Sequence, residues 1–203
     1  ERELPVTIFL DGSESMTFGT PRKFDFARQV AAAIGYVALC GFDRVSVQVF
    51  PDAFGEGAVR GALRSVRGRK SSLQFFQNLG QVNAQGQASF NEALRRGALG
   101  ARRSGVAIVL SDFLDPAGYE PGLTALIGRG FQVSAVQILA PEEVNPTTYG
   151  DLRLVDSETG AVQEVTSGKF RLNTYKHTVQ NYIQRLREFC QGRGINFFTT
   201  TSD

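Results

Sequence analysis

Val6-Thr7-Ile8-Phe9-Leu10-Asp11-Gly12-Ser13-Glu14-Ser15-Met16 is the stretch that decides the fold. Val6, Ile8, Phe9 and Leu10 are β-branched or apolar and follow Pro5, a pattern that predicts a buried strand. Asp11 falls at the carboxyl end of that strand, and Gly12 permits a sharp exit. Ser13 and Ser15 alternate with Asp11, so their hydroxyls and its carboxylate converge from one loop. Such oxygens are hard ligands that suit Mg²⁺ or Mn²⁺, ions that keep several waters. The loop is therefore expected to form a divalent-cation site that grips a partner's carboxylate.

Outward from this loop, strands and helices alternate. Thr20-Pro21 predicts a helix start, and Phe24, Ala27, Val30, Ala31, Ile34, Val37 and Ala38 recur at helical spacing up to Gly41. Val45, Val47 and Val49 alternate with polar neighbours as a second strand. Ala58 to Val66 predicts a shorter strand at an edge, where basic neighbours discourage stray pairing. Ser71 is a candidate cap for a short helix carrying Leu73, Phe75, Phe76 and Leu79, and the polar run from Gln81 to Gln87 predicts a loop. Ser89 with Glu92 gives a capping-box signature for a helix faced by Phe90, Ala93, Leu94 and Leu99. Val106 to Leu110 is a second fully apolar strand, and it too runs into a carboxylate, at Ser111-Asp112.

A helix from Tyr119 to Arg129 and a strand from Phe131 to Leu139 follow. Asp151 to Val155 and Ala161 to Val165 then flank Asp156-Ser-Glu-Thr-Gly160, a hairpin signal. Asn173 to Cys190 predicts a long helix with Val179, Tyr182, Ile183, Leu186 and Phe189 on one face, and Ile195 to Phe198 the final strand. The alternation predicts an α/β fold in one domain over residues 1–203, a mostly parallel sheet covered on both faces. Ligands of such sheets bind beyond the carboxyl ends of the strands, where connections diverge. Asp11 and Asp112 share one crevice if their strands are neighbours.

The 203 residues carry a net charge of only +2, and the basic clusters at Arg60–Lys70 and Arg95–Arg103 lack interleaved aromatics, which argues against nucleic-acid binding. No apolar run approaches the length of a membrane span. Cys40, next to Gly41, and Cys190, two residues before Gly192, are expected to be buried free thiols in a reducing compartment. The chain begins at Glu1 and is expected to be part of a longer protein, cytoplasmic or, at full length, membrane-associated. The single histidine, His177, is expected at the surface, and no nucleophile elbow, Walker A loop or dinucleotide turn is present. Asp115 is expected to serve a turn or a helix cap; Glu142 and Glu143, after the third apolar strand, are candidates for the same rim but are expected to be solvated loop charges.

Asp11-Gly-Ser13-Glu-Ser15 resembles the DxSxS motif of von Willebrand factor A domains, which opens their metal-ion-dependent adhesion site. Ser111-Asp112-Phe113 resembles the later aspartate loop of those domains. With Pro141-Glu-Glu143 and Gly150-Asp-Leu-Arg-Leu-Val-Asp-Ser-Glu-Thr-Gly160, the chain is similar to a bacterial branch of uncharacterised A-domain-like proteins associated with MoxR-type AAA+ ATPases. The resemblance implies a doubly wound, six-stranded, mainly parallel sheet with one antiparallel edge strand, to which the hairpin near 151–166 is an insertion.

It also implies that Ser13 and Ser15 coordinate Mg²⁺ or Mn²⁺ directly, and Asp11 and Asp112 directly or through water. The family's third loop normally offers a threonine, and here Gly86-Gln87-Ala88-Ser89-Phe90 puts Ala88 at that position. One ligand is then missing unless Ser89 or water substitutes, so the cation is expected to be weak or partner-dependent. The implied function is a non-enzymatic protein-interaction module with a MoxR-type AAA+ ATPase as partner. The alternatives are a metal-free scaffold with a degenerate site and a Mg²⁺-dependent phosphatase of the haloacid-dehalogenase kind. In that phosphatase a second carboxylate follows the nucleophile by two residues, a place held here by Ser13.

Overall fold

The apolar runs become strands buried on both faces, and their order in the sheet places the site. The computed structural model describes residues 3–51, 62–87, 89–146, 150–155, 162–167 and 169–203. In chain order the elements are β1 (Pro5–Asp11), α1 (Lys23–Cys40), β2 (Arg44–Phe50), β3 (Ala62–Arg67), α2 (Ser72–Gly80), α3 (Phe90–Gly100), β4 (Val106–Ser111) and α4 (Glu120–Gly128). They continue with β5 (Gln132–Leu139), α5 (Pro141–Val144), β6 (Gly150–Val155), β7 (Val162–Ser167), α6 (Lys169–Gln191) and β8 (Asn196–Thr201). Six strands form one sheet in the order β3-β2-β1-β4-β5-β8. All neighbours are parallel except the edge strand β3, which runs antiparallel to β2. β6 and β7 pair with each other as a separate antiparallel hairpin, as the turn signal between them predicts. Residues 156–161 of that turn, and 58–61 of the anticipated edge strand, lie outside the described residues.

Alternation along β1 sends side chains into two cores. Val6, Ile8 and Leu10 join Phe24, Ala27, Ala31 and Leu39 of α1 and Phe75 and Leu79 of α2. Phe9 points the other way, to Phe90 and Leu94 of α3, Leu123 and Leu126 of α4, and Leu186 and Cys190 of α6. Each fully buried side chain of this size contributes roughly 1.5–3 kcal/mol, so these layers carry the fold. Gly97 lets α3 close down on β1, since a Cβ there would lie 2.3 Å from the Phe9 ring.

From β1 the chain crosses through α1 to β2 on one side, whereas β4, its other neighbour, leads through α4 to β5 on the opposite side. The connections therefore diverge between the carboxyl ends of β1 and β4, the place where such sheets bind ligands. β1 and β4 pair from Val6↔Val106 to Leu10↔Leu110, so Asp11 and Asp112 emerge side by side.

Several details depart from the sequence reading. Helical spacing assigned Val37 and Leu99 to inner faces, but they are 71% and 81% exposed, and Leu73 of the short helix is 67% exposed, because each helix packs a narrower stripe on the sheet than its apolar content allows. Ser71 stands at the N-cap of α2 without a side-chain cap bond, its hydroxyl donating to Arg67 O at 2.9 Å, and the capping box at Ser89 and Glu92 does not form either. Asp115, from the loop after β4, accepts the Phe90 N–H at 3.0 Å instead, while Glu92 faces Arg96 at 3.8 Å. α6 begins at Lys169 rather than Asn173. Cys190 is a buried free thiol as anticipated, but Cys40 is exposed, and the two lie on helices of opposite layers.

Candidate functional site

Beyond Gly12 the chain turns through a short 3₁₀ helix, Glu14–Thr17, whose Met16 is fully buried in the α1-side core and anchors the loop from below. Backbone bonds fix the loop from its neighbours: Gly12 N–H donates to Phe50 O at 2.7 Å, Gln85 N–H to Gly12 O at 2.7 Å and Glu14 N–H to Gly86 O at 2.9 Å. The third loop is thus docked against the first. Ala88, the position of the anticipated gap, lies outside the described residues.

Four of the anticipated residues are brought together. Asp11 accepts the Ser13 N–H on Oδ1 at 3.0 Å and the Ser111 hydroxyl on Oδ2 at 2.5 Å. The Ser13 and Ser15 hydroxyls lie 3.1 Å apart, and Ser15 Oγ donates to Asp112 Oδ2 at 2.9 Å. Asp112 Oδ1 accepts the Leu114 N–H at 3.0 Å. Ser89 is exposed at the head of α3 and makes no side-chain cap bond. Asp11 and Asp112 are 4% and 2% exposed, so their charges are poorly screened. Burial, and then the charge of Asp112, push the Asp11 carboxyl well above the usual carboxylate range.

The structure adds a cation from this chain itself. Lys23, fully buried at the first position of α1, donates from Nζ to Asp112 Oδ2 at 2.8 Å and to Glu143 Oε1 at 2.7 Å. Burial pulls its pKa down, but the charges of Asp112 and Glu143 and the bonds they accept more than offset this, and it ends above the ordinary lysine value. Glu143 was expected in solvent; its side chain is only 16% exposed, and its Oε2 accepts the Ala140 N–H at 2.7 Å. Glu142, by contrast, is exposed as expected.

The backbone that presents Asp112 is held from several sides. Phe113 adopts φ +60°, uncommon for a residue with a side chain and kept only where the surroundings over-determine it. The Phe113 ring packs against Phe90 and Tyr119, and Tyr182 of α6 donates its hydroxyl to Phe113 O. Gln137 Nε2 donates to Asp112 O at 3.1 Å. Asp115 serves as a turn and a cap, its Oδ1 accepting the Ala117 N–H at 2.7 Å. His177 is exposed.

The donors fit a small hard dication by type and spacing. Octahedral Mg²⁺ has ligands at 2.0–2.1 Å, which places adjacent ligand oxygens about 3 Å apart. The 3.1 Å between the serine hydroxyls and 2.9 Å from Ser15 to Asp112 match that edge. Against the fit, Lys23 Nζ already bonds Asp112 Oδ2. Among the described residues no cluster of three His, Cys, Asp or Glu side chains suited to a metal occurs; hydroxyls supply half of this donor set.

A family described as "Protein of unknown function DUF58" matches residues 1–182. The chain belongs to the DUF58 family. Uncharacterised proteins of Mycobacterium bovis and Mycobacterium tuberculosis are each 31% identical to it over 167 residues, covering 81% of this chain and 51% of theirs. This DUF58 chain thus spans about half the length of those relatives. Its fold is similar to that of the conserved hypothetical protein BatB from Bacteroides thetaiotaomicron, with TM-score 0.57, 16% identity, and 98% and 91% of the two chains covered. An aerotolerance-related membrane protein from Bacteroides fragilis gives TM-score 0.56 at 16% identity, with 97% and 91% covered. These two likenesses are of fold alone. Among the described residues, no helix is long and apolar enough to cross a membrane.

Lys23 escaped the sequence reading, and Ser111 and Glu143 entered it without the roles the structure gives them. The signal for Lys23 was a lysine in the first turn of a helix, where the positive end of the helix dipole opposes it. A residue retained against that field calls for carboxylates nearby.

Proposed function

We propose that this DUF58 chain is a von Willebrand A-like, non-enzymatic interaction module with a divalent-cation site at Asp11, Ser13, Ser15 and Asp112. The single observation that carries the reading is the run of oxygens from Ser13 through Ser15 to Asp112, spaced 3.1 and 2.9 Å at the switch point of the sheet. A bound Mg²⁺ or Mn²⁺ supplies the positive charge at which a partner's Asp or Glu completes the shell. The two serines offer lone pairs, the two aspartates offer charge, and the core beneath keeps all four in place. Phe18 and Leu114, 51% and 45% exposed on the two loops that bear the donors, offer a partner apolar contact. The sequence resemblance makes a MoxR-type AAA+ ATPase the first partner to test.

Calorimetric titration with Mn²⁺ and Mg²⁺ tests the site. Saturable binding that disappears in Asp11→Ala is expected, and equal responses from both proteins would overturn it. Lys23 favours a second reading, a scaffold that works without metal because an ammonium fills the cation's role. Partner capture that is indifferent to EDTA would select it. Turnover of a phosphate ester that is lost in Asp11→Asn would point instead to a phosphatase.

A further inference from the structure

The following inference rests on the reading of Asp11, Ser13, Ser15 and Asp112 as a cation site and names what regulates it. Lys23 stands where two terms oppose an ammonium: the interior, which strips its water, and the N-terminus of α1, whose dipole repels positive charge. Among the described residues, Asp112 and Glu143 offset these terms. Both carboxylates are fixed through their second oxygens, Asp112 by the Leu114 N–H and Glu143 by the Ala140 N–H, so neither depends on Lys23 for its position. The oxygen that Lys23 takes from Asp112 is Oδ2, the same atom that accepts the Ser15 hydroxyl and ends the oxygen run.

We propose that Lys23 is the resident counter-cation of the site and sets its affinity for a divalent ion by competing for Asp112 Oδ2. Glu143 is the carboxylate that retains the ammonium when Asp112 is taken. The arrangement neutralises much of the crevice while no dication is bound, which lets the protein fold metal-free. It also keeps divalent binding weak, so that a partner's carboxylate at the same centre adds the missing stabilisation. Cation binding and partner binding are thereby coupled through one lysine.

Mn²⁺ binding to the purified chain, followed by calorimetry and by the enhancement of water-proton relaxation, tests this. Lys23→Met keeps the length of the stem and removes the charge, and its affinity for Mn²⁺ is expected to be at least tenfold tighter than that of the unaltered chain. Glu143→Gln leaves the ammonium to Asp112 alone, and its affinity is expected to be about tenfold weaker, which carries the test if Lys23→Met fails to fold. Binding by Lys23→Met where the unaltered chain binds nothing supports the proposal in its strongest form. Measurable but equal affinities in the unaltered chain and the folded variants overturn the role of Lys23 and leave the cation site standing. Absence of Mn²⁺ binding in the unaltered chain and in both variants overturns the two together.

Discussion

Two ion clusters at opposite ends of the sheet are mirror images in charge. At the amino end Glu3 lies between Arg44, 2.5 Å away, and Arg67, 3.4 Å away. At the carboxyl end Lys23 lies between Asp112 and Glu143, at 2.8 and 2.7 Å. The shortest contact belongs to the amino-end cluster, yet its two arginine side chains are 46% and 54% exposed, while Lys23 is fully buried. Distance therefore says little about weight. Water and salt screen the first cluster and its long side chains give up entropy to form it. The second has lost its water, and its charges compensate one another in its place.

The largest way to break this comparison is Lys23→Met, which leaves Asp112 and Glu143 facing each other in the interior. Urea unfolding is expected to show a loss of about 3–5 kcal/mol, as for other broken buried pairs. A loss near zero would mean that the carboxyl-end cluster is no more coupled than the surface one. Ser111→Ala comes next, because it strips Asp11 of a buried hydroxyl donor and Phe113 N–H of its acceptor. It is expected to cost about 2 kcal/mol in the same assay. Tyr182→Phe removes one hydrogen bond to the Phe113 carbonyl and is expected to cost about 1 kcal/mol, which sharpens how much α6 contributes to holding Asp112. Smallest of all is Glu3→Gln, for which thermal melting should show no shift beyond experimental scatter. High salt should leave the Lys23→Met deficit in place, since the buried cluster is beyond the reach of screening ions.

The legibility of the two ends differs as well. Strand β1 and its exit were readable because burial on both faces demands an unbroken apolar run, and the same holds for β4. Asp11 and Asp112 were readable as strand-end carboxylates for that reason, and their neighbourhood follows from the parallel order. Glu143 was not. It stands in a Pro-Glu-Glu run that reads as a solvated turn, and only the docking of α5 beyond β5 turns it toward α1. The cap of α3 was misassigned for a similar reason: Ser89 and Glu92 satisfy a local pattern, but Asp115 arrives from another loop with a better-placed carboxylate.

The sequence by itself determined the α/β class, the strand that bears Asp11-Gly-Ser-Glu-Ser15, its counterpart ending at Asp112, and the edge position of the basic strand. The edge position was read from local basic residues, and the rest from local periodicity, since burial on one face or two imprints a period on the chain. Only the tertiary structure decided that the carboxylate pair is met by an ammonium from this chain, because Lys23 and Asp112 are 89 residues apart and Lys23 and Glu143 are 120 apart. Charge carries no period. An ion pair is fixed by where packing delivers each side chain, and that is settled by the whole core at once.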